Sequence, residues 1–263
     1  MISPNTRSDD TLAELHANLT SGAKAERLGP HTWRLEIPPG PPGNYRLAQL
    51  DDYRHLPRKC FPWRPPFRLQ LMARLSAPLI PGTWGFGLWN DPFSLRLGFG
   101  GEQRIPALPD AVWFFFASPP NYLSLRDDLP AKGNLVATFR SASIPSWLLL
   151  LGSVAMPWLA VPFFARYLRR LARRFVRQSA INFPVDPTVW HTYTLNWQAE
   201  RAQFFLDEQT LLETPVSPGG PLGLVIWIDN QFMALPPDGR IRSGTLGNPD
   251  PAWLEIEQLS IGR

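Results

Sequence analysis

The chain has 263 residues, 30 of them proline and 19 glycine, and is 44% hydrophobic but only 18% charged. Proline at that density along the whole length excludes a helical bundle or coiled coil, and the apolar and aromatic content excludes disorder. The net charge of +4 rests on 23 arginines and 3 lysines, so the placement of the arginines decides which anionic partner is worth considering.

Residues 1–29 read as a polar leader in which Asp9 or Asp10 caps a short helix through Leu12, Leu15 and Leu19. They lack the apolar core of an export signal, so the expected location is cytoplasmic. From residue 30 to 263 the texture is that of one β-domain, with short apolar or alternating runs between proline and glycine punctuation. Thr32–Ile37 and Phe67–Ser76 alternate and predict strands. Thr83–Trp89, Ser94–Phe99, Ala111–Ala117, Leu135–Arg140, His191–Trp197, Ala202–Leu206, Gln209–Pro215, Leu222–Asp229 and Trp253–Ile261 continue the series. Ten or more strands separated by turns predict a single antiparallel sandwich rather than two domains.

One segment, 144–178, interrupts the pattern. Residues 144–165 carry no charge, and residues 166–177 carry six arginines and no acid. Phe164, Leu168, Leu171 and Phe175 follow a helical spacing, and Arg166, Arg170, Arg173 and Arg177 fall on the opposite side. The uncharged stretch is long enough to span a bilayer. Pro145, Pro157 and Pro162 interrupt it, and a single crossing would separate strands that belong to one sandwich. An interfacial or re-entrant helix resting on an anionic membrane surface is compatible with both facts. Its contact residues would be Trp147, Leu150, Trp158, Phe163, Phe164, Leu168, Leu171 and Phe175, with the four arginines. A helical lid over the sheet and a protein-partner surface are the competing readings. Outside 144–180 the chain is slightly acidic, and no nucleic-acid motif accompanies the arginines, which turns the reading away from nucleic acid.

The chemistry-bearing residues are sparse. Cys60 is the single cysteine, and His16, His31, His55 and His191 show no metal-ligand spacing, so neither metal nor cofactor is expected. There is no nucleophile elbow and no phosphate-binding loop; Gly98-Phe99-Gly100-Gly101 reads as a hairpin turn. Asp91, Asp110 and Asp229 are the acids nearest to aromatic strands and the candidates for any carboxylate catalysis.

Several segments resemble glycoside hydrolase family 16, the laminarinase-like enzymes. They are His191–Trp197 with the hairpin Phe204–Gln209, Gly82–Trp89, Leu224–Asn230 and Trp253–Ile261. The resemblance covers about residues 30–263 and implies a concanavalin A-like jelly roll of two curved antiparallel sheets, here carrying a helical insertion. It also implies that Trp84, Trp89, Trp113, Phe115 and Trp227 wall a cleft, with Asn90 and Asn230 as polar contacts. Alternation along a strand leaves each tryptophan facing either this cleft or the core. The family's E-x-D-x-x-E strand corresponds to Asp110–Phe115, where Val112 and Phe115 replace the second and third acids. The expectation is therefore a non-hydrolytic protein that binds a glycan, glycolipid or other apolar ligand on the concave sheet, near a membrane through 144–178. The alternatives are a family 16-like hydrolase with relocated acids and a structural module recruited to membranes.

Overall fold

The computed structural model describes residues 15–92, 104, 106–145, 148–149 and 160–262. In chain order its elements are β1 (His16–Leu19), β2 (Lys24–Arg27), β3 (Thr32–Ile37), β4 (Leu47–Asp51), β5 (Phe67–Leu75), β6 (Thr83–Trp89), β7 (Ala111–Ala117), β8 (Gly133–Ser141), α1 (Pro162–Phe175), β9 (Val176–Asn182), β10 (His191–Trp197), β11 (Ala202–Leu206), β12 (Gln209–Thr214), β13 (Gly223–Asp229), β14 (Gln231–Ala234), β15 (Arg242–Thr245) and β16 (Ala252–Gly262). Two seven-stranded sheets stack face to face. The first is ordered β1-β4-β13-β6-β7-β8-β9 and the second β12-β11-β10-β5-β16-β3-β2, with β14 and β15 as a separate ribbon. This is the two-sheet antiparallel sandwich that the strand pattern predicts, with α1 inserted between β8 and β9.

The core lies between the sheets and follows from period-two alternation. On β5 the odd-numbered residues Phe67, Leu69, Leu71, Ala73 and Leu75 are buried, while Arg68, Gln70, Met72 and Arg74 turn outward. Val112, Phe114 and Phe116 on β7 meet them from the first sheet, with Leu224, Ile226 and Ile228 on β13. Phe114 packs edge-on against Tyr193 and Phe204 of the second sheet, with ring centroids 5.1 and 5.3 Å apart.

The N-terminal expectation fails where it can be examined. Residues 16–19 are strand β1, paired to β4 through His16↔Asp51, and β2 joins the second sheet beside β3. A leader helix through Leu19 is excluded because these residues complete sheet edges; Asp9, Asp10 and Leu12 lie outside the described residues. The expected strand Ser94–Phe99 and the hairpin at 98–101 also lie outside them.

Helix α1 starts with Pro162 in its first turn, where the missing N–H costs nothing, and carries Arg173 and Arg174 in its last turn, where they complement the helix dipole. It ends directly into β9, the edge strand beside β8. Arg177 therefore lies on β9, opposite Arg140, and not on the helix as its spacing implied. The helix start is fixed by Gly239, whose φ of +77° and lack of a side chain let the 236–239 turn approach. A Cβ there would come within 2.3 Å of the Pro162 carbonyl oxygen.

Candidate functional site

The first sheet is apolar on both faces. Its inner face is the sandwich core, and its outer face is a second cluster built from Leu47, Trp89, Ala111, Phe115, Leu135, Ala137, Phe139, Val176, Val225 and Trp227. This outer face is the floor of a cleft of about 310 Å³, at the small end of the range for ligand pockets. Leu123 and Leu125, Met233 and Leu235, and Ala172 of α1 form its walls.

Two glycines of β6 explain the floor. Gly85 and Gly87 occupy cleft-facing positions and pair with Trp227 on β13 and Trp113 on β7. A Cβ on Gly85 would meet the Trp227 ring at 2.7 Å, and one on Gly87 would meet Trp113 Cβ at 2.6 Å. The absent side chains let both indoles lie across β6. The Trp113 ring is then 5.6 Å from Trp227, 5.9 Å from Trp89, 5.5 Å from Phe115 and 6.3 Å from Phe139. The Trp227 indole N–H donates to the Thr83 hydroxyl at 3.0 Å, and the Trp89 indole N–H donates to the Tyr53 hydroxyl at 2.7 Å. Polar edges are thus satisfied and apolar faces are left to the cleft.

Of the aromatic residues read from the sequence, Trp89, Trp113, Phe115 and Trp227 line the cleft. Trp84 does not: it alternates with Thr83 and Gly85 to the core side, stacked 3.4 Å from Phe116. Asn90 and Asn230 are buried loop-fixing residues. The Asn90 side chain donates to the Leu108 carbonyl and accepts from the Asp110 N–H; that of Asn230 donates to the Asn44 and Leu246 carbonyls and accepts from the Arg46 N–H.

The three acids have separate fates. Asp91 is buried, ion-paired with Arg104 at 2.9 Å, and absent from the cleft lining. Asp110 stands at the start of β7, its carboxylate accepting the Ser141 N–H at 2.8 Å; burial raises its pKa. Asp229 stands at the end of β13, where Oδ1 accepts from the Thr83 N–H, the Thr83 hydroxyl and the Gln231 N–H at 2.9–3.1 Å. Tyr45 lies close to it but outside hydrogen-bonding geometry. Burial outweighs these donors and pushes the Asp229 carboxyl up to about 7. The register separates the two cleft acids. Ala111, next to Asp110, pairs with Trp89 at one end of β6, and Asp229 pairs with Thr83 at the other. Six residues of strand put about 20 Å between them, well beyond the ~5–9.5 Å that a glycosidase carboxylate pair requires. The sequence shows these acids but not the register that separates them.

Sequence reasoning missed Leu47, Leu123, Phe139, Met233 and Leu235 in the lining. Leu47, Leu123, Met233 and Leu235 come from short strands and loops whose own pattern carries no sign of a cleft, and Phe139 from β8, whose apolar run does not mark its cleft side. The glycines at 85 and 87 are the signal that marks it. Among the described residues no cluster of His, Cys, Asp or Glu has the geometry of a metal site.

α1 covers one side of the cleft. Ala165 is buried, and Arg169 is sewn into the adjoining loops. Its guanidinium donates to the Ser124 and Leu235 carbonyls at 2.7 Å each, to the Arg126 carbonyl at 3.1 Å and to Asp127 at 3.0 Å. Phe163, Phe164, Tyr167 and Phe175 are exposed, as are Arg166, Arg170 and Arg173, while Leu168 and Leu171 are half-buried. No described helix is long and apolar enough to cross a membrane. Trp147, Leu150 and Trp158 lie outside the described residues.

No family model matches the chain, and neither does any curated protein. Solved structures do. A glycoside hydrolase family 16 endo-glucanase from Bacteroides ovatus is similar at 9% identity and a TM-score of 0.49, over 92% of this chain and 85% of that one. LamA from Zobellia galactanivorans, solved with laminaritriose and laminaritetraose, is similar at 11% identity and a TM-score of 0.47, over 96% and 93%. The binding domain of a botulinum neurotoxin in complex with rat synaptotagmin II is similar at 6% identity and a TM-score of 0.43, over 96% and 44%.

Proposed function

We propose that the protein binds, without hydrolysing it, a ligand with an extended apolar body, such as the acyl or isoprenoid part of a glycolipid, in the aromatic cleft of the first sheet. The observation that carries this reading is β7. All four of its outer-face residues, Ala111, Trp113, Phe115 and Ala117, are apolar, the first three of them line the cleft, and three tryptophans spread over the glycine-lined strand beside it. A bare glycan needs hydrogen-bonding groups around its ring faces. Here the polar lining residues, Gln49, Thr83, Asp110, Asn121, Ser124 and Asp229 among them, are engaged in hydrogen bonds within the protein. Trp113 fluorescence, isolated by subtracting the spectrum of Trp113→Phe, should respond to dodecanol or farnesol and not to laminarin oligosaccharides. A response to the oligosaccharides alone would replace the apolar ligand with a sugar.

A hydrolase reading is favoured by the Asp229 carboxyl near 7, the range of a general acid. It is opposed by the strand-length gap to Asp110. It requires release of reducing sugar from a β-glucan panel that Asp229→Asn abolishes. A peripheral membrane contact is favoured by the exposed Phe163, Phe164, Tyr167 and Phe175 beside arginines. It requires that intact protein co-sediment with anionic vesicles and that Phe163→Ser/Tyr167→Ser reduce the bound fraction.

A further inference from the structure

The outer side of α1 meets the 127 and 236–239 loops in a groove of about 330 Å³ lined by Phe163, Arg166, Arg169, Arg170, Arg173 and Pro237, with Asp127 as the one acid among the described residues. Asp127 accepts from Arg169 at 3.0 Å and from Arg173 at 2.6 Å, so its charge is already spent. Arg166 and Arg170, one helical turn apart, are exposed and have no carboxylate within ion-pair distance among the described residues. The groove therefore carries a surplus of cationic guanidinium groups, whose planar forks suit phosphate and sulfate oxygens.

This groove adjoins the cleft along a shared seam. Ser124, Leu125 and Leu235 line the cleft, Asp127 and Pro237 line the groove, and Arg169 lies between, bonded to the Ser124 and Leu235 carbonyls. The cleft itself is polar at that end. The Gln178 amide oxygen accepts from the Leu125 N–H and the Ser124 hydroxyl, which leaves its buried Nε2 without a partner among the described residues.

We propose that this groove is an anion site for the same ligand: the cleft takes the apolar body, and Arg166, Arg170 and Arg173 take a phosphate or sulfate headgroup. The protein's ligand would then be an anionic amphiphile. This rests on the apolar-ligand reading of the cleft and adds the charged end to it.

The test compares dodecyl phosphate, dodecanol and inorganic phosphate by calorimetric titration of the full chain. Dodecyl phosphate should bind at least about tenfold more tightly than dodecanol, with the difference shrinking as salt is raised. Arg166→Gln/Arg170→Gln should erase the preference and leave dodecanol binding unchanged, whereas Trp113→Ala should weaken both amphiphiles. The wild-type comparison stands even if the double variant fails to fold. Equal binding of the two amphiphiles overturns the headgroup site and leaves the cleft reading intact. Binding of neither overturns the cleft reading beneath it. Inorganic phosphate binding as tightly as dodecyl phosphate, with Trp113→Ala without effect, would make the groove an independent anion site and sink the link. So would a double variant that loses phosphatidylglycerol vesicles yet keeps the preference for dodecyl phosphate, since the groove would then read a membrane surface.

Discussion

The two faces of the first sheet are made from the same strands in alternate residues, and both are apolar, yet they have different neighbours. On β7 the residues Val112, Phe114 and Phe116 close against a second sheet, both phenylalanine rings against Tyr193. Ala111, Trp113 and Phe115 face a cleft walled, among the described residues, by α1, β14 and the 121–125 loop. A sheet whose two faces are both screened from water becomes a continuous hydrophobic run. AVWFFFA is such a run, which is why composition alone cannot say which aromatic belongs to the fold and which to the site. Only the register against Gly85 and Gly87 separates them.

The strongest break in the comparison is on the core face. Phe114→Ala removes a ring packed on Phe86, Tyr193 and Phe204 and should cost about 3–5 kcal/mol in urea unfolding. Trp113→Ala, a larger truncation one residue away, should cost distinctly less, because its ring borders open volume. Equal costs would mean that the outer face is a second structural core and not a cleft.

The next effect concerns charge on the cleft face. Asp229 holds its proton in the folded protein up to about pH 7, whereas the unfolded chain releases it near the ordinary carboxylate value of 3.8. Its contribution to stability is therefore complete below about pH 4 and is lost as pH rises toward 7, at up to about 1.4 kcal/mol per pH unit. Asp52, also pushed to about 7 by burial, adds a parallel dependence. Asp229→Asn should flatten the decline by its own share and leave the protein more stable at pH 7 than the wild type. An unchanged slope would show that the carboxylate is solvated and that the Asp229 end of the cleft is open to water.

Gly87→Val sharpens the reading of the floor. Its backbone has φ +150° and its Cβ would collide with Trp113, so the cost should be about 1–3 kcal/mol, with Trp113 fluorescence red-shifted as the indole is displaced into solvent. A destabilisation without a spectral change would place the strain in the backbone alone.

Legibility in the sequence tracks these contrasts. β5 declares itself because one face is wet: Arg68, Gln70 and Arg74 alternate with apolar residues. The strands 83–89, 111–117, 191–197 and 202–206 match their expected bounds because turn residues bracket them. β4 and β9 escape notice for opposite reasons: Leu47–Asp51 is five residues buried throughout, and Val176–Asn182 follows α1 with no turn to mark the change. Trp84 and Trp113 are the same residue type, each in a strand buried almost throughout. They part only when pairing sets one over Phe116 in the core and the other over Gly87 in the cleft. The arginine run is visible as charge, but its division between tether and free surface depends on which way the helix is turned.

That division supplies the smallest stability effects and a direct check on the helix. Arg169 has a side chain only 9% exposed, and its loss strands the carbonyls of Ser124, Leu235 and Arg126 that it satisfies. Arg169→Ala should therefore cost about 1–3 kcal/mol and loosen α1, seen as faster amide exchange across residues 162–175. Arg166→Ala and Arg170→Ala are exposed changes on the same helix with no ion pair among the described residues to lose. Each should shift stability by no more than about 0.5 kcal/mol and leave exchange of α1 unchanged. The order matters more than the sizes. If Arg166 or Arg170 proved as costly as Arg169, those side chains would be holding the helix down, and the groove could not offer them to an anion.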